Sequence, residues 1–409
     1  FADTLTGATL AGGAYSYIRG DGGNDTLRAH AVGDRVIADY LDSLSAVNVS
    51  LGAGITRDDG WFGGQDTLVN IRGVRGSNFA DVLVGSSGND TLFGAGGNDL
   101  FNSAGGTNLV DGGDGVDTAV YGLGRQYARA LSNGTGTISG NGTADTLTSV
   151  EILDFTDGRL VFDVADPIAV VFRLYDSAFK RAPDAFGLNV WADQISKGVP
   201  VSDVATNFAT APEFLATYGN LTDRGFVEQL YRNVLGREGD VIGLDSWTTA
   251  LNNGSQTRGT VVAGFSESLE HVIKLSPAVQ AGLWDIDETA ASIARLYYAA
   301  LDRSPDAGGL TAWVAATDAG RTIGAVADDF AASPEFRAKY GQLTNDQFVE
   351  QLYQNVLDRA SDAAGKAGWV QQLSSGALDR GDVLLGFSDS AEHQFKTMSL
   401  IDGGIVLIG

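Results

Sequence analysis

The segment Gly76-Ser-Asn-Phe-Ala-Asp81-Val-Leu-Val-Gly-Ser-Ser-Gly-Asn-Asp90-Thr-Leu-Phe-Gly-Ala-Gly-Gly-Asn-Asp99 carries the pattern that decides the fold of the N-terminal part of this chain. An acidic residue or its amide recurs at every ninth position as far as residue 120: Asp81, Asp90, Asp99, Asn108 and Asp117. The second residue after each of these is apolar: Leu83, Leu92, Phe101, Val110 and Ala119. Each unit therefore predicts a glycine turn and a short strand with one inward side chain. Such units bury a core only by stacking into a solenoid.

Stacking of the units places the turn carboxylates beside one another, with exposed backbone carbonyls nearby. Carboxylates at that spacing repel, and a hard cation with several oxygen ligands relieves the repulsion, calcium being the usual one. The alternative is that each Asp caps its own turn through a local side-chain hydrogen bond. Five positions in strict period favour the cation.

The units resemble the nonapeptide GGxGxDxUx of the RTX (repeats-in-toxin) family, whose fold is a parallel β-roll. The resemblance implies that the turn side chain and the carbonyls two and four residues before it bind Ca²⁺. The implied ligands are Asp81, Asp90 with Gly88 and Ser86, Asp99 with Gly97 and Ala95, and Asp117 with Gly115 and Gly113. At Asn108 we expect a weaker site, because an amide brings an oxygen but no charge.

Weaker copies of the unit lie upstream. Gly20-Asp-Gly-Gly-Asn-Asp25-Thr-Leu27 is a good repeat, and Gly63-Gly-Gln-Asp66-Thr-Leu68 is a degenerate one. They add Asp21, Gly23, Asp25 and Asp66 to the candidate metal ligands. Residues 1–7 echo residues 79–85, so we expect the chain to begin inside a roll, with upstream residues lost or cut away.

Two other segments of the first half predict longer strands. Residues 34–51 alternate apolar and polar side chains, which predicts strands that interrupt the roll. Residues 145–162 predict a strand, a turn at Asp157-Gly158 and a closing strand that covers the end of the solenoid.

Composition limits the function. The 409 residues suffice for two or three domains, and the absence of cysteine excludes disulfides and thiol chemistry. A net charge of −24 argues against nucleic acid and anionic membrane surfaces as partners and favours cations. No apolar run approaches the ~18 residues that span a bilayer.

The second half has a different composition and an internal repeat. All prolines and lysines lie after Asp166, so we place the boundary of the first domain, residues 1–165, near Ala165. An offset of 122 residues relates residues 166–282 to residues 283–398; for example, Phe226-Val-Glu-Gln-Leu-Tyr231 returns as Phe348-Val-Glu-Gln-Leu-Tyr353. The apolar stripe of Phe226, Leu230 and Val234 predicts an amphipathic helix.

One motif recurs four times in these two helical domains. Its copies are Tyr175/Arg181/Asp184/Gly187/Trp191, Tyr231/Arg237/Asp240/Gly243/Trp247, Tyr297/Arg303/Asp306/Gly309/Trp313 and Tyr353/Arg359/Asp362/Gly365/Trp369. We interpret the Asp as a helix N-cap, the Arg as its ion-pair partner and the Trp as a buried contact between helices. The alternative is a ligand pocket, with Trp stacking on a sugar ring. Ser333-Pro334-Glu335 likewise predicts a helix start.

The helical domains resemble DUF4214, a module related to phycobilisome linker domains and common beside RTX repeats in secreted bacterial proteins. The resemblance implies little about function. The predicted fold class is thus β followed by all-α: an N-terminal parallel β-roll and two duplicated DUF4214-like helical domains.

The sequence offers no catalytic motif. Its histidines are His30, His271 and His393, and it has no HExxH pair, Gly-x-Ser-x-Gly elbow or Walker-type loop. We therefore predict that these residues form no enzyme. The tail, residues 399–409, looks like the C-terminal signal of type I secretion, with a final β-strand as the alternative.

The expected function is that of a non-catalytic, secreted bacterial protein that calcium folds and assembles: a surface-layer component, an adhesin or an extracellular filament. Its partners would be calcium, other copies of the chain or cell-surface polysaccharide. One alternative is the calcium-folding and secretion region of a larger exoenzyme. The other is a carbohydrate-binding module.

Overall fold

A computed structural model describes residues 2–61, 63–140 and 142–407. Strands occupy the first part of the chain and helices the second, as the sequence predicts. The strands are β1 Thr4–Thr6, β2 Ser16–Ile18, β3 Thr26–Arg28, β4 Val36–Asp39, β5 Asn48–Ser50, β6 Ile55–Asp58, β7 Thr67–Val69, β8 Gly73–Arg75, β9 Val82–Val84, β10 Thr91–Gly96, β11 Leu100–Asn102, β12 Leu109–Asp114, β13 Thr118–Val120, β14 Ala128–Ser132, β15 Thr135–Gly140, β16 Thr143–Thr148, β17 Ile152–Phe155, β18 Gly158–Val161 and β19 Leu283–Ile286.

The strands form two sheets that enclose the core of the roll. Sheet A has the order β1-β3-β7-β6-β5-β9-β11-β13-β17-β18-β19, and sheet B has the order β14-β15-β16-β12-β10-β8-β4-β2. Within the repeats, successive strands of one sheet are parallel and pair residues two repeats apart, such as Leu100 with Thr118 and Thr91 with Leu109. The chain therefore alternates between the sheets, and one coil of the solenoid takes two nonapeptides.

The inward positions of the repeat form the roll's core, as predicted. Leu83, Leu92, Phe101, Val110 and Ala119 are at most 2 % exposed. Burial of one such large apolar side chain contributes roughly 1.5–3 kcal/mol. Because each strand supplies so few of these side chains, the core exists only when the coils are stacked.

The predicted interruption of the roll is smaller than the alternating pattern indicated. Strand β4 lies in the parallel ladder of sheet B, between β2 and β8. Strands β5 and β6 form a hairpin inserted in sheet A between β7 and β9. Strand β5 still pairs parallel with β9, whereas β6 is antiparallel to both of its neighbours. Alternation of apolar and polar residues identifies a strand but not its partner, so it could not separate the two cases.

The end of the roll has the predicted closing hairpin and one further strand. Strands β17 and β18 pair antiparallel through the turn at Asp157-Gly158. Strand β19, from the helical half of the chain, then pairs with β18, and Arg159 forms an ion pair with Asp285 across them. The second half is therefore not purely helical, because one of its segments extends sheet A.

The helical region consists of two successive sets of eight helices, with β19 between them. The helices are α1 Pro167–Phe179, α2 Ala185–Ser196, α3 Val201–Thr210, α4 Pro212–Tyr218, α5 Asp223–Leu230, α6 Val241–Asn252, α7 Arg258–Ser266, α8 Leu269–Gln280, α9 Glu288–Leu296, α10 Ala307–Asp318, α11 Ile323–Ala332, α12 Pro334–Tyr340, α13 Asn345–Leu357, α14 Ala363–Ser375, α15 Arg380–Ser388 and α16 Ala391–Ile401. One π turn follows α5, at Tyr231–Leu235, and another follows α9, at Tyr297–Leu301. Over the residues that the structure describes, no helix combines the length and apolarity needed to cross a membrane.

The helix starts agree with the sequence prediction. In each copy of the motif the Asp side chain accepts a hydrogen bond from the backbone N–H of the Gly three residues on. Asp184 accepts from Gly187, for example, and Asp240 accepts from Gly243. Ser333 caps α12 in the same way. A side-chain cap of this kind contributes about 1 kcal/mol.

The Arg of the motif has a different main partner from the one predicted. Arg237 lies 3.9 Å from Asp240 but makes two hydrogen bonds of 2.8 Å to Glu270. The other three copies also pair their Arg with a glutamate of a later helix: Arg181 with Glu213, Arg303 with Glu335 and Arg359 with Glu392. A bidentate pair needs a carboxylate opposite the guanidinium plane, and a residue three positions on cannot supply that geometry.

The Trp of the motif is only partly buried, and it packs on a core phenylalanine. Trp247 lies 5.8 Å from Phe265 between ring centroids, and Trp369 lies 5.7 Å from Phe387. Repetition of this contact in both sets of helices favours a packing role for the Trp over a sugar platform.

The described part of the tail contacts both halves of the molecule and forms no strand. Ile405 is fully buried, and its N–H donates to Asp157 at 2.8 Å. The Arg125 side chain donates to the Gly403 carbonyl at 3.0 Å. The last two residues of the predicted secretion signal, 408 and 409, lie outside the described residues.

Candidate calcium site

The turns of the roll form two separate columns, one at each edge. Edge A contains the turns before β9, β11, β13 and β17, and register aligns four acids there: Asp81, Asp99, Asp117 and Glu151. Edge B contains the turns before β8, β10 and β12 and the adjoining part of β16. Register aligns Arg72, Asp90, Asn108 and Asp145 there.

The edge A acids are connected through the backbone of neighbouring coils. One oxygen of Asp99 accepts from the N–H of Asp81 at 2.8 Å, and one oxygen of Asp117 accepts from the N–H of Asp99 at 2.8 Å. Glu151 accepts from the N–H of Asp117 at 3.0 Å. The second oxygen, Oδ2, of Asp99 and of Asp117 is buried and has no hydrogen-bond partner.

These unpartnered oxygens make edge A electrostatically unfavourable without a cation. Burial, together with a smaller effect of neighbouring carboxylates, raises the pKa of Asp99 to about 7 and that of Asp117 to about 6. Burial also raises the pKa of Asp81. A buried carboxylate without a partner costs free energy unless a proton or a cation neutralises it.

The backbone of edge A leaves no room for side chains between coils. A Cβ on Gly113 would lie 2.3 Å from the Ala95 carbonyl oxygen, and a Cβ on Gly115 would lie 1.7 Å from the Gly97 carbonyl oxygen. Both glycines have positive φ, at 102° and 143°. The carbonyls of Ala95 and Gly97, two of those implied as ligands, therefore lie against the next coil.

The turn at Asp90 on edge B differs from those at Asp99 and Asp117. The Asp90 carboxylate accepts from the backbone N–H and the hydroxyl of Ser86, at 2.5 and 2.8 Å, and so caps its own turn. Asp81 on edge A caps its turn in the same way through Ser77. Local capping, the alternative to cation binding, thus holds at these two aspartates, where a Ser stands four residues earlier.

Asn108 has a hydrogen-bonding role that an aspartate could not have. Its amide oxygen accepts from the N–H of Asp90 at 2.8 Å, and its NH₂ group donates to Asp145 at 2.7 Å and to the Gly105 carbonyl at 2.8 Å. The amide therefore relieves the repulsion that a third carboxylate would create on edge B.

The upstream candidates form a second, shorter column. Asp25 accepts from the N–H of Asp3 at 2.7 Å, and its buried Oδ2 has no partner. Asp66 accepts from the N–H of Asp25 and from the Tyr40 hydroxyl, and burial raises its pKa to about 6. Asp21 is exposed and has positive φ.

Gly23, the backbone candidate in this column, lies near an acid that the sequence did not single out. A Cβ on Gly64 would lie 2.4 Å from the Gly23 carbonyl oxygen and 2.1 Å from Oδ2 of Asp59. Asp59 is fully buried, and its Oδ2 has no hydrogen-bond partner. It lies just after the inserted hairpin, outside the nonapeptide period, so spacing gave no signal for it.

Sequence reasoning also missed a row of asparagines. Asn24, Asn89 and Asn98 each accept, through the side-chain oxygen, a hydrogen bond from a backbone N–H of the next coil, at 2.9–3.0 Å. The signal was present in the repeated triplet Gly-Asn-Asp, which ends at Asp25, Asp90 and Asp99.

The residues of edge A fit a calcium ion. They offer carboxylate and carbonyl oxygens, the ligands that calcium prefers. Nowhere in the described parts of the chain do three or more acidic or histidine side chains cluster as a metal site, so backbone carbonyls have to complete the ligand set. Bound calcium would neutralise the buried carboxylates and link adjacent coils.

Geometry and comparison together define the class: a calcium-binding parallel β-roll joined to a helical region. The family model for the RTX calcium-binding nonapeptide repeat matches residues 10–36 and 75–110. The model for DUF4214, a domain of unknown function, matches residues 168–218, 205–275 and 327–397. No curated protein matches the chain.

The chain carries RTX repeats in its N-terminal part and DUF4214 domains in its C-terminal part, which confirms both resemblances. RTX repeats are calcium-binding motifs, so Ca²⁺ is the ion that this roll binds. They also indicate a secreted bacterial protein.

Proposed function

We propose that this chain is a non-catalytic structural protein of the bacterial cell exterior: a component of a surface layer, an adhesin or an extracellular filament. The observation that supports this most is the continuity between roll and helices. Sheet A passes from the roll through β18 into β19, which lies between the two sets of helices. Folding of the roll on calcium binding would therefore also order β19 and the helices on either side of it.

The charge of the roll provides the switch for folding. When calcium is scarce the edge A acids repel one another, and the glycine-rich coils bury too little to fold. Such a chain can be exported unfolded by type I secretion, with residues 399–409 as the signal. Outside the cell, sites with affinities of roughly 10⁻⁴–10⁻³ M fill, and the free energy of binding becomes free energy of folding.

The helical region supplies surface for association. Its exposed apolar side chains include Ile242, Leu269 and Phe395, which are 83, 75 and 76 % exposed. Phe395 has an exposed apolar counterpart 122 residues earlier in Ile273, which is 62 % exposed, whereas Ile242 and Leu269 correspond to Ala364 and Ala391. One apolar contact is therefore presented twice per chain, and a doubled contact favours multivalent assembly. Other copies of the chain, or cell-surface polysaccharide bridged by calcium, are the partners we propose.

The two repeated histidines of the helices have structural roles, which supports a non-catalytic function. His271 is fully buried, with one ring nitrogen 3.0 Å from the Ser266 carbonyl oxygen and the other 2.9 Å from Asp176. His393 repeats the first contact with Ser388 at 2.9 Å. Both rings therefore connect helices from within the core.

Electron microscopy of the whole chain, in millimolar calcium and then in excess chelator, tests the proposal. Ordered sheets or filaments that dissolve on chelation are the expected result. Monodisperse particles in both conditions would contradict assembly by this chain and favour the calcium-folding region of a larger exoenzyme. Circular dichroism of the same samples checks folding separately, because strand content should fall on chelation whether or not the chain assembles.

A further inference from the structure

Edge B has a basic residue where edge A has an acid. Strand β8 pairs with β10 so that Gly73 lies opposite Thr91. This register places Arg72 beside Asp90, at the position in the column that an aspartate takes in the repeats. Arg72 lies nine residues before Asp81 and so continues the nine-residue period with a base in place of an acid. The pairing of the strands shows that it falls on edge B.

The Arg72 guanidinium lies against the turn that ends at Asp90 and contacts the Asp90 carboxylate and the Ser86 side chain. Its Nη1 lies 3.5 Å from Oδ1 of Asp90 and donates to the hydroxyl of Ser86. A Cβ on Gly88 would lie 2.9 Å from Nη1 and 3.0 Å from Cζ. The positive charge of Arg72 is thus already where a cation bound to this turn would lie.

Both carboxylate oxygens of the other acid of edge B already accept hydrogen bonds within the protein. Asp145 accepts from the Asn108 amide at 2.7 Å through one oxygen and from the Tyr121 hydroxyl at 3.0 Å through the other. Edge B therefore has two acids, one base and one amide, and each of its carboxylate oxygens discussed here has a donor. Edge A has four acids and no base, and two of its buried carboxylate oxygens have no donor.

We propose that, between residues 72 and 151, this roll binds calcium along edge A only, and that the Arg72 guanidinium takes the place of the ion on edge B. The inference rests on calcium binding by the repeats and is independent of the proposed assembly. Its physical basis is that a fixed cation beside the Asp90 carboxylate repels Ca²⁺ and already pairs with an oxygen that the ion would need. The repeat count therefore overstates the number of calcium ions.

Two aspartates in matched sequence contexts test this difference between the edges. Asp99 ends the triplet Gly97-Asn-Asp on edge A, and Asp90 ends the triplet Gly88-Asn-Asp on edge B. Bound calcium is counted by equilibrium dialysis of the full chain against Ca²⁺ alone. We expect Asp99→Asn to lose about one ion per chain or to weaken binding about tenfold or more, and Asp90→Asn to keep the wild-type number.

Equal losses of calcium in the two variants would overturn the proposal. A wild-type chain that bound no calcium would instead contradict calcium binding itself, which separates the two failures. Arg72→Met provides a second measurement, with Arg75→Met as its control, because Arg75 pairs with Asp39 away from the ligands of the turns. We expect calcium to raise the melting temperature of Arg72→Met by more than it raises that of the wild type. The same calcium-induced rise in Arg72→Met, Arg75→Met and wild type would refute the role of Arg72.

Discussion

Substitution of Gly115 by Ala tests whether close stacking of the coils sustains edge A. The new Cβ would lie 1.7 Å from the Gly97 carbonyl oxygen, whereas carbon–oxygen contacts are ordinarily about 3.3 Å or longer, so the coils must move apart by about 1.5 Å. That movement breaks the hydrogen bonds from Gly97 N–H to the Asp114 carbonyl, at 2.9 Å, and from Val116 N–H to Asn98, at 3.0 Å. Each broken hydrogen bond costs about 1 kcal/mol and the strained backbone 1–2 kcal/mol, so we expect the free energy of unfolding to fall by about 3–4 kcal/mol.

Gly105→Ala is the matched control. Gly105 also has positive φ, at 122°, but a Cβ there would meet no atom within 4 Å. We therefore expect Gly105→Ala to lower the free energy of unfolding by the backbone strain alone, about 1 kcal/mol. Urea unfolding of the full chain in saturating calcium, followed by circular dichroism, measures both losses in the free energy of unfolding. Equal losses would refute the argument from stacking, since both glycines have positive φ and only Gly115 faces a carbonyl of the neighbouring coil.

Three further predictions concern charge and backbone. In chelator, the strand content of the roll should rise as pH falls from about 7 to about 4, because the folded state raises the pKa values of the edge A aspartates and their protonation therefore stabilises it; a circular dichroism signal that stays constant over that range would contradict their burial. Ala95→Gly should stabilise the roll by about 1 kcal/mol, since Ala95 has φ 81°, and an unchanged melting temperature would refute this strain. Arg173→Ala leaves Glu267 without its buried partner and should lower the free energy of unfolding by about 3 kcal/mol. Arg237→Ala breaks the exposed pair with Glu270 and should lower it by at most about 1 kcal/mol. Equal urea midpoints for the two variants would contradict this ranking.

The sequence determined the roll, its core and the starts of the helices because those features are local and periodic. A nine-residue period places the inward side chain of every repeat, as at Leu92 and Phe101, without knowledge of any partner strand. The caps at Asp184 and Ser333 likewise depend on residues only a few positions apart. Such patterns can be read from one chain because the interacting groups are neighbours in sequence.

Tertiary structure alone decided which charges meet. The period makes Asp90 and Asp99 equivalent, but alternation of the chain between two sheets puts them on opposite edges, where Arg72 accompanies the first and Asp117 the second. Strand β19 was missed for the same reason, since its partner lies more than a hundred residues earlier in the chain. Register between distant segments depends on the packing of the whole core, and the free energy of a buried charge depends on what that register places beside it.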